Sequence, residues 1–235
     1  MLGAMDPATQ RIALVAGANG LVGRELLRVL ADSGDYSRII ALTRRPLSFE
    51  APRLVNRILR PEGFEADLKG LACHEAYSCL GTTLATAGSE TAFRAVDHDL
   101  VLRFAQFARA CGAQSLAAVS SVGADPRAKN FYLRVKGEAE AALQAQAWKC
   151  LHIMQPGLLL GGRREWRPLE FALGLAMRVV NPLLLGELAR LRAIEARDVA
   201  AAMHGALRGA RPGTHRHAGL ALQALAAASR RTGRA

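Results

Sequence analysis

The stretch Val15-Ala16-Gly17-Ala18-Asn19-Gly20-Leu21-Val22-Gly23 joins a short apolar run to a helical pattern. Its three glycines, each three residues from the next, stand at a junction between two regular elements that glycine ordinarily weakens. Upstream, Ile12 to Ala16 reads as a buried strand. Downstream, Leu21, Val22, Leu26, Leu27 and Leu30 fall on one face of a helix that closes near Ser33-Gly34. A chain keeps glycine in such a place for three reasons: to turn sharply, to bring backbone close to a diphosphate, and to let the helix pack tightly on the strand. The helix N-terminus then presents unpaired N–H groups and a positive dipole end to the anion. A glycine-rich turn that binds nothing is the alternative, but the position between first strand and first helix favours a dinucleotide.

Working outward, Arg38–Thr43, Glu75–Leu80, Ser115–Ser120 and Cys150–Gln155 read as further strands, with a weaker one near Val55–Leu59. Helix-length segments run over Glu90–Ala110 and Asn130–Gln146. Strands alternating with helices predict an α/β fold with a parallel sheet covered on both faces, because each parallel crossover needs a dozen residues or more. Residues 11–235 suit a single domain, in which 157–195 and 210–235 form a small C-terminal region capping the substrate side. The opening MLGAMDPATQ, residues 1–10, resembles a vector-derived leader and is set aside.

A net charge of +11 raises nucleic-acid binding, but the basic residues are 27 Arg against 4 Lys and are scattered, and aromatics are only 5%. That composition argues against a specific nucleic-acid partner and leaves some arginines for anionic small ligands. The apolar region from Pro168 to Ala189 is broken by Glu170, Arg178, Asn181-Pro182 and Glu187, which excludes a membrane span there. Cys73, Cys79, Cys111 and Cys150 form no metal or redox spacing, so reduced thiols in a cytoplasmic protein are expected. Nothing points to a metal. Either a monomer or a homodimer fits.

The end of the second strand bears on the cofactor. An NAD site ordinarily places Asp or Glu there to accept from the ribose hydroxyl. Here the strand ends Thr43-Arg44-Arg45-Pro46, whose fork-shaped cationic donors suit the extra phosphate of NADP(H) better than NAD(H), surface arginines being the alternative.

Farther on, Tyr132 and Lys136 sit four apart at a predicted helix start and so share a face. A nearby ammonium favours the phenolate and equips a tyrosine for acid-base work. Ser120 and Ser121, at the end of the preceding strand, are candidates to hold a substrate carbonyl oxygen. A half-buried Tyr with a snorkelling Lys is the structural alternative.

With these residues in view, the chain resembles the short-chain dehydrogenase/reductase superfamily. GANGLVG matches the glycine turn of its extended and atypical branches, and Tyr132-x-x-x-Lys136 its catalytic pair. Cys79-Leu-Gly-Thr-Thr83, Ala87-Gly-Ser-Glu90, Ser120-Ser-Val-Gly-Ala-Asp125 and Tyr132-Leu-Arg-Val-Lys-Gly-Glu138 look more narrowly like the Tat-interacting-protein-like group and its small bacterial relatives. The resemblance implies a Rossmann-type doubly wound sheet and an NADP(H)-dependent oxidoreductase. Hydride would pass to or from a small carbonyl or alcohol substrate, with Tyr132 as acid/base, Lys136 tuning it, and Ser120 or Ser121 on the carbonyl oxygen. Ser120, three before Gly123, is the favoured serine, although the eleven or twelve residues to Tyr132 are fewer than the superfamily's commoner spacing. It further implies that Gly17, Ala18, Asn19, Gly20, Leu21 and Val22 hold the diphosphate, and Thr43, Arg44 and Arg45 the 2′-phosphate end. Leu80, Gly81, Thr82 and Thr83 border the adenosine, Lys136 also binds the nicotinamide ribose, and Pro156, Gly157, Leu158 and Leu159 line the nicotinamide. The alternative function is an NADPH-binding regulator or sensor with little catalysis.

Other residues carry no assignment. The six histidines show no ligand spacing, and His152 reads as a satisfied core residue. Asp97 and Asp99 are expected to face solvent, and Cys79 to be a small buried hydrophobe rather than a redox thiol.

Overall fold

A computed structural model describes residues 11–59, 70–161, 192–209 and 211–232 of the chain. Strand β1 (Arg11–Ala16) enters the glycine turn and helix α1 (Leu21–Ser33) leaves it; β2 (Tyr36–Thr43) follows after Gly34, which closes α1 at φ 74°. β3 (Leu54–Ile58), β4 (Glu75–Ser78), β5 (Ser115–Val119) and β6 (Cys150–Gln155) stand within two residues of the expected strands. Between β4 and β5 run two short helices, α2 (Leu84–Ala87) and α3 (Glu90–Arg94), a π-helical segment (Ala95–Leu100) and α4 (Val101–Ala110). α5 (Phe131–Ala145) starts at Asn130, whose side chain accepts from the Leu133 amide. Two-residue strands β7 (Leu159–Leu160) and β8 (Ile194–Glu195) pair with each other, and α6 (Ala196–Arg208), β9 (Gly213–Ala218) and α7 (Gly219–Thr232) complete the order.

Seven strands form one parallel sheet in the order β3-β2-β1-β4-β5-β6-β9. The chain winds outward from β1 in both directions, so β1 and β4 meet at the point where the strand order reverses. That is where an open α/β sheet leaves a crevice at the carboxyl ends of its strands. Two cores flank the sheet. Leu26, Leu27 and Leu30 of α1 pack with Val199, Met203 and Leu222 on one face, and Phe104, Leu116, Leu143 and Leu151 on the other. Each such fully buried side chain contributes about 1.5–3 kcal/mol relative to an exposed one.

One segment departs from the sequence reading. Residues 210–235 were expected in the substrate cap, yet Gly213–Ala218 adds the seventh strand beside β6 and α7 packs on the α1 face. Its sequence, GTHRHA, has no apolar run because an edge strand is only half-buried. Most of the other cap segment, 162–191, including the apolar stretch from Pro168 to Ala189, lies outside the described residues. Among the described residues no helix is long and apolar enough to cross a membrane.

The pairing of β6 with β9 assembles a histidine cluster invisible in the linear spacing. His152 is 5% exposed, its Nδ1 lies 3.0 Å from His217 Nε2, and its ring stacks on His215 with centroids 4.9 Å apart. Its Nε2 has no hydrogen-bond partner, so it is a half-satisfied core histidine rather than the satisfied one expected. Burial, then the neighbouring His217 and His215, push the His152 imidazole down to about 4. The unfolded chain takes up this proton near pH 6.5 while the folded chain resists until about pH 4, so acidification across that interval favours unfolding. Urea denaturation at stepped pH is expected to show this loss, at most about 1.4 kcal/mol per pH unit from one group, and a shallower dependence in His152→Gln.

Candidate active site

The glycine turn is built by exclusion. Gly17 has φ 75°, and a Cβ there would lie 2.4 Å from the carbonyl carbon and oxygen of Cys79 at the end of β4. A Cβ on Gly23 would come within 2.2 Å of the Gly17 carbonyl oxygen, so that glycine lets α1 ride against the turn. The Gly20 amide donates to the Gly17 carbonyl at 2.9 Å, closing the loop. α1 starts without a side-chain cap and without an acidic residue in its first turn, which leaves its N-terminal amides and positive dipole end open to an anion. Asn19 Nδ2 donates to the Arg45 carbonyl at 2.9 Å and so braces the turn against the end of β2.

Two cavities flank this turn. The smaller, of about 440 Å³, is walled by Gly17, Thr43, Arg44, Arg45, Leu80, Gly81 and Arg103 among others. The larger, of about 1010 Å³, runs from Asn19, Gly20, Leu21, Val22 and Arg45 past Leu80, Gly81, Thr82 and Thr83 to Ser120, Tyr132, Lys136 and Leu159. Glycine turn, second-strand end and tyrosine–lysine pair therefore share one groove. Arg24, Ser48 and Thr86, which sequence reasoning did not single out, also stand on its wall. Arg44 and Arg45 are exposed and have no carboxylate partner among the described residues.

Other expected residues play quieter parts. Ala18 is fully buried, and Thr43 is 6% exposed with its Oγ1 accepting from Asn56 Nδ2 at 2.7 Å. The Pro156 carbonyl accepts from Val122 and the Leu158 carbonyl from Ile194, Gly157 is half-buried between them, and only Leu159 of this segment reaches the groove. Cys79 also borders the groove, and burial pushes its thiol up to about 12, leaving it a poor nucleophile.

Tyr132 packs beside Phe93, ring centroids 5.4 Å apart. Gly137, one residue past Lys136, lets the Asp125–Pro126 backbone press onto α5, where a Cβ would meet Asp125 at 2.2 Å. That contact seats the loop after β5 beside Tyr132 and Lys136. Lys136 is 5% exposed, and its Nζ lies 2.7 Å from Asp97 Oδ1. Asp97, expected at the surface, is 1% exposed, and its second oxygen accepts from the Thr82 amide at 2.8 Å. The reason is positional: Asp97 falls four residues after Phe93 and four before Val101, on the apolar face of its helix. The π-helical turn around it is the kind of distortion that collects at functional sites. Gly81 stands beside the pair, a Cβ there lying at ordinary contact distance, 3.4 Å from Asp97 Oδ1 and 3.5 Å from Lys136 Nζ. Asp99 is exposed, as expected.

The two serines diverge. Ser120 Oγ donates to the buried Glu140 Oε1 at 2.5 Å, whereas half-buried Ser121 makes only a 3.4 Å contact with the Val122 carbonyl. Among the described residues no cluster of His, Cys, Asp or Glu is arranged to hold a metal.

Removing one partner of a buried ion pair strands the other charge, at a cost of about 3–5 kcal/mol. Asp97→Ala is therefore expected to lower the free energy of unfolding by about 3 kcal/mol in urea denaturation, and the surface variant Asp99→Ala to leave it within about 0.5 kcal/mol. Gly17→Ala, which must move the end of β4, is expected to abolish nucleotide binding in a fluorescence titration.

Comparison with known proteins agrees with this architecture. The profile of the NAD dependent epimerase/dehydratase family matches residues 13–140, more than half of the 235-residue chain. "Protein HTATIP2" of Rattus norvegicus is 34% identical over 161 residues, covering 67% of this chain and 66% of that protein. "Protein FMP52, mitochondrial" of Saccharomyces cerevisiae is 36% identical over 155 residues, 64% of this chain and 66% of its own. The chain thus spans just under two thirds of the length of these eukaryotic relatives. Among solved structures, MoeE5 in complex with UDP-glucose and NAD superposes with a TM-score of 0.66 at 18% identity, over 92% of this chain and 81% of that one. The human epimerase family protein SDR39U1 with NADPH gives 0.59 at 16% identity, over 93% and 80%. A glycine turn at the switch point of a parallel sheet, a groove reaching a Tyr/Lys pair, and a profile match through both place the chain in the NAD dependent epimerase/dehydratase family.

Proposed function

We propose that the protein is an NADP(H)-dependent oxidoreductase acting on a small carbonyl or alcohol. The observation that carries this reading is the groove that runs from Asn19 and Gly20 of the glycine turn to Tyr132 and Lys136. The residues present fit a dinucleotide: a cradle that a Cβ would fill, an uncapped helix N-terminus, and two guanidinium groups at the end of β2 with no carboxylate partner among the described residues. The bound nicotinamide supplies or accepts the hydride. Leu21 and Val22 offer backbone amides to the diphosphate, the Gly20 amide closes the turn on the Gly17 carbonyl, and Asn19 keeps the turn in register with the Arg45 backbone. Arg44 and Arg45 favour the 2′-phosphate, because no acid stands at this strand end to accept from a free ribose hydroxyl.

Tyr132 gives or takes the proton at the substrate oxygen. Lys136 on the same face binds ribose hydroxyls, and Asp97 aims Lys136. The Asp97–Thr82 bond ties that ammonium to the loop after β4, so a group settled on the loop and the proton donor are registered together. The yeast relatives' names bring a mitochondrial location into this reading beside the cytoplasmic one that four free cysteines suggest.

Tyr132→Phe is expected to lower turnover of an aldehyde or ketone panel by roughly 10²–10⁴-fold, with NADPH affinity nearly intact. Persisting turnover would remove Tyr132 from the chemistry. Replacing Arg44 and Arg45 together by Ala is expected to weaken NADPH about 10–100-fold and NADH far less, read by nicotinamide fluorescence. Equal loss for both nucleotides would refute the phosphate role.

A further inference from the structure

The mechanism above leaves one buried carboxylate unused. Glu140 lies one helical turn beyond Lys136 on the inner face of α5 and is 4% exposed. Its Oε1 accepts from Ser120 Oγ at 2.5 Å and from Gln155 Nε2 at 2.8 Å. Its Oε2 accepts from Gln155 Nε2 at 3.0 Å and from Arg216 Nε at 2.9 Å. Gln155 ends β6 and Arg216 belongs to β9, so three neighbouring strands converge on this group below the reaction end of the groove.

A serine hydroxyl has one proton and two lone pairs, and a carboxylate accepts only. A bond of 2.5 Å from hydroxyl to carboxylate belongs to the short, charge-assisted class. Ser120 borders the groove, but its proton points the other way, and what it can offer there is lone pairs. A carbonyl oxygen in the groove needs a donor, which Ser120 in this state does not supply. Tyr132, on the wall of the same groove, carries a phenol able to donate, whereas Ser121 is not among the described residues that line it.

We infer that Glu140 is a positioning residue that holds the Ser120 hydroxyl as an acceptor towards the groove, and that Tyr132 is the donor to the substrate oxygen. The assignment rests on the oxidoreductase reading for its kinetic half alone; the orientation of Ser120 stands on the bonds just described. As an acceptor, Ser120 suits the alcohol form of a substrate, whose hydroxyl has a proton to give.

The test has a structural and a kinetic readout on the full chain. A hydroxyl proton held by a buried carboxylate exchanges slowly with water, so proton NMR is expected to show a resolved low-field hydroxyl resonance. Ser120→Ala and Glu140→Gln should each remove it, and Ser121→Ala should keep it. Absence from the wild type, survival in Glu140→Gln or loss in Ser121→Ala would overturn the orientation. With phenanthrenequinone and nitrobenzaldehyde as probes and NADPH as reductant, Tyr132→Phe is expected to lower kcat roughly 10²–10⁴-fold and Ser120→Ala less than about 10-fold. Glu140→Gln should lower kcat while the KM for NADPH stays, with partial rescue in Glu140→Asp. Should both Glu140 variants fail to fold, the contrast between Ser120→Ala and Tyr132→Phe decides, and Ser120→Ala as severe as Tyr132→Phe would refute the inference. If the NMR pattern appears while the wild type reduces neither probe, the proposed reaction fails and the orientation of Ser120 survives.

Discussion

The structure depends on one close approach, that of the Gly17 backbone to the Cys79 carbonyl. β1 and β4 are hydrogen-bonded neighbours whose chains diverge to opposite faces of the sheet, and their exits must pass each other in the same crevice. At 2.4 Å from the Cys79 carbonyl there is no volume for even a methyl group on Gly17. Because the turn stays on the sheet's edge, α1 can start immediately after it with its first amides facing the groove, and the loop from Leu80 to Thr83 can run alongside. Moving either exit outward would separate the turn from the loop and open the groove between them.

Around this steric constraint the site is organised by buried polar groups, which a fold ordinarily avoids. Taking Lys136 and Asp97 out of water carries a desolvation cost that their attraction offsets only when geometry and additional hydrogen bonds are good. Here the Thr82 amide completes the Asp97 shell. Glu140 is satisfied more fully, with an acceptor bond to a hydroxyl, an amide and a guanidinium. These groups contribute little to stability compared with the leucine core. What they supply is orientation of side chains whose rotamers would otherwise wander.

Much of the fold was legible because the inner strands are apolar runs bounded by breakers. Ile12–Ala16 and Cys150–Gln155 show this plainly, and both coincide with strands of the structure to within a residue. The glycine turn was legible because its spacing has a steric meaning. β9 was not, since a half-exposed edge strand such as GTHRHA shows no apolar run. The burial of Asp97 carried a signal that went unread: a carboxylate four residues from both Phe93 and Val101, in the middle of an apolar stripe. Glu140 carried the same signal, four residues after Lys136 on a face shared with Val135, Ala139 and Leu143. The destiny of the Ser120 proton had no linear trace, because its acceptor is twenty residues away on another element.

Glu140, which anchors Ser120, receives its last donor from Arg216, on a strand that joins the sheet only after the chain has crossed back through α6. A ribosome makes a chain from its amino end, so the turn at Gly17 and the pair at Tyr132 and Lys136 emerge well before their supporting guanidinium. A nascent chain can therefore enclose a nucleotide-shaped groove while Glu140 still awaits its last donor. Completion of the Glu140 anchor is thereby timed to the arrival of the final strand, and an arrested translation product would possess the cradle without that guanidinium.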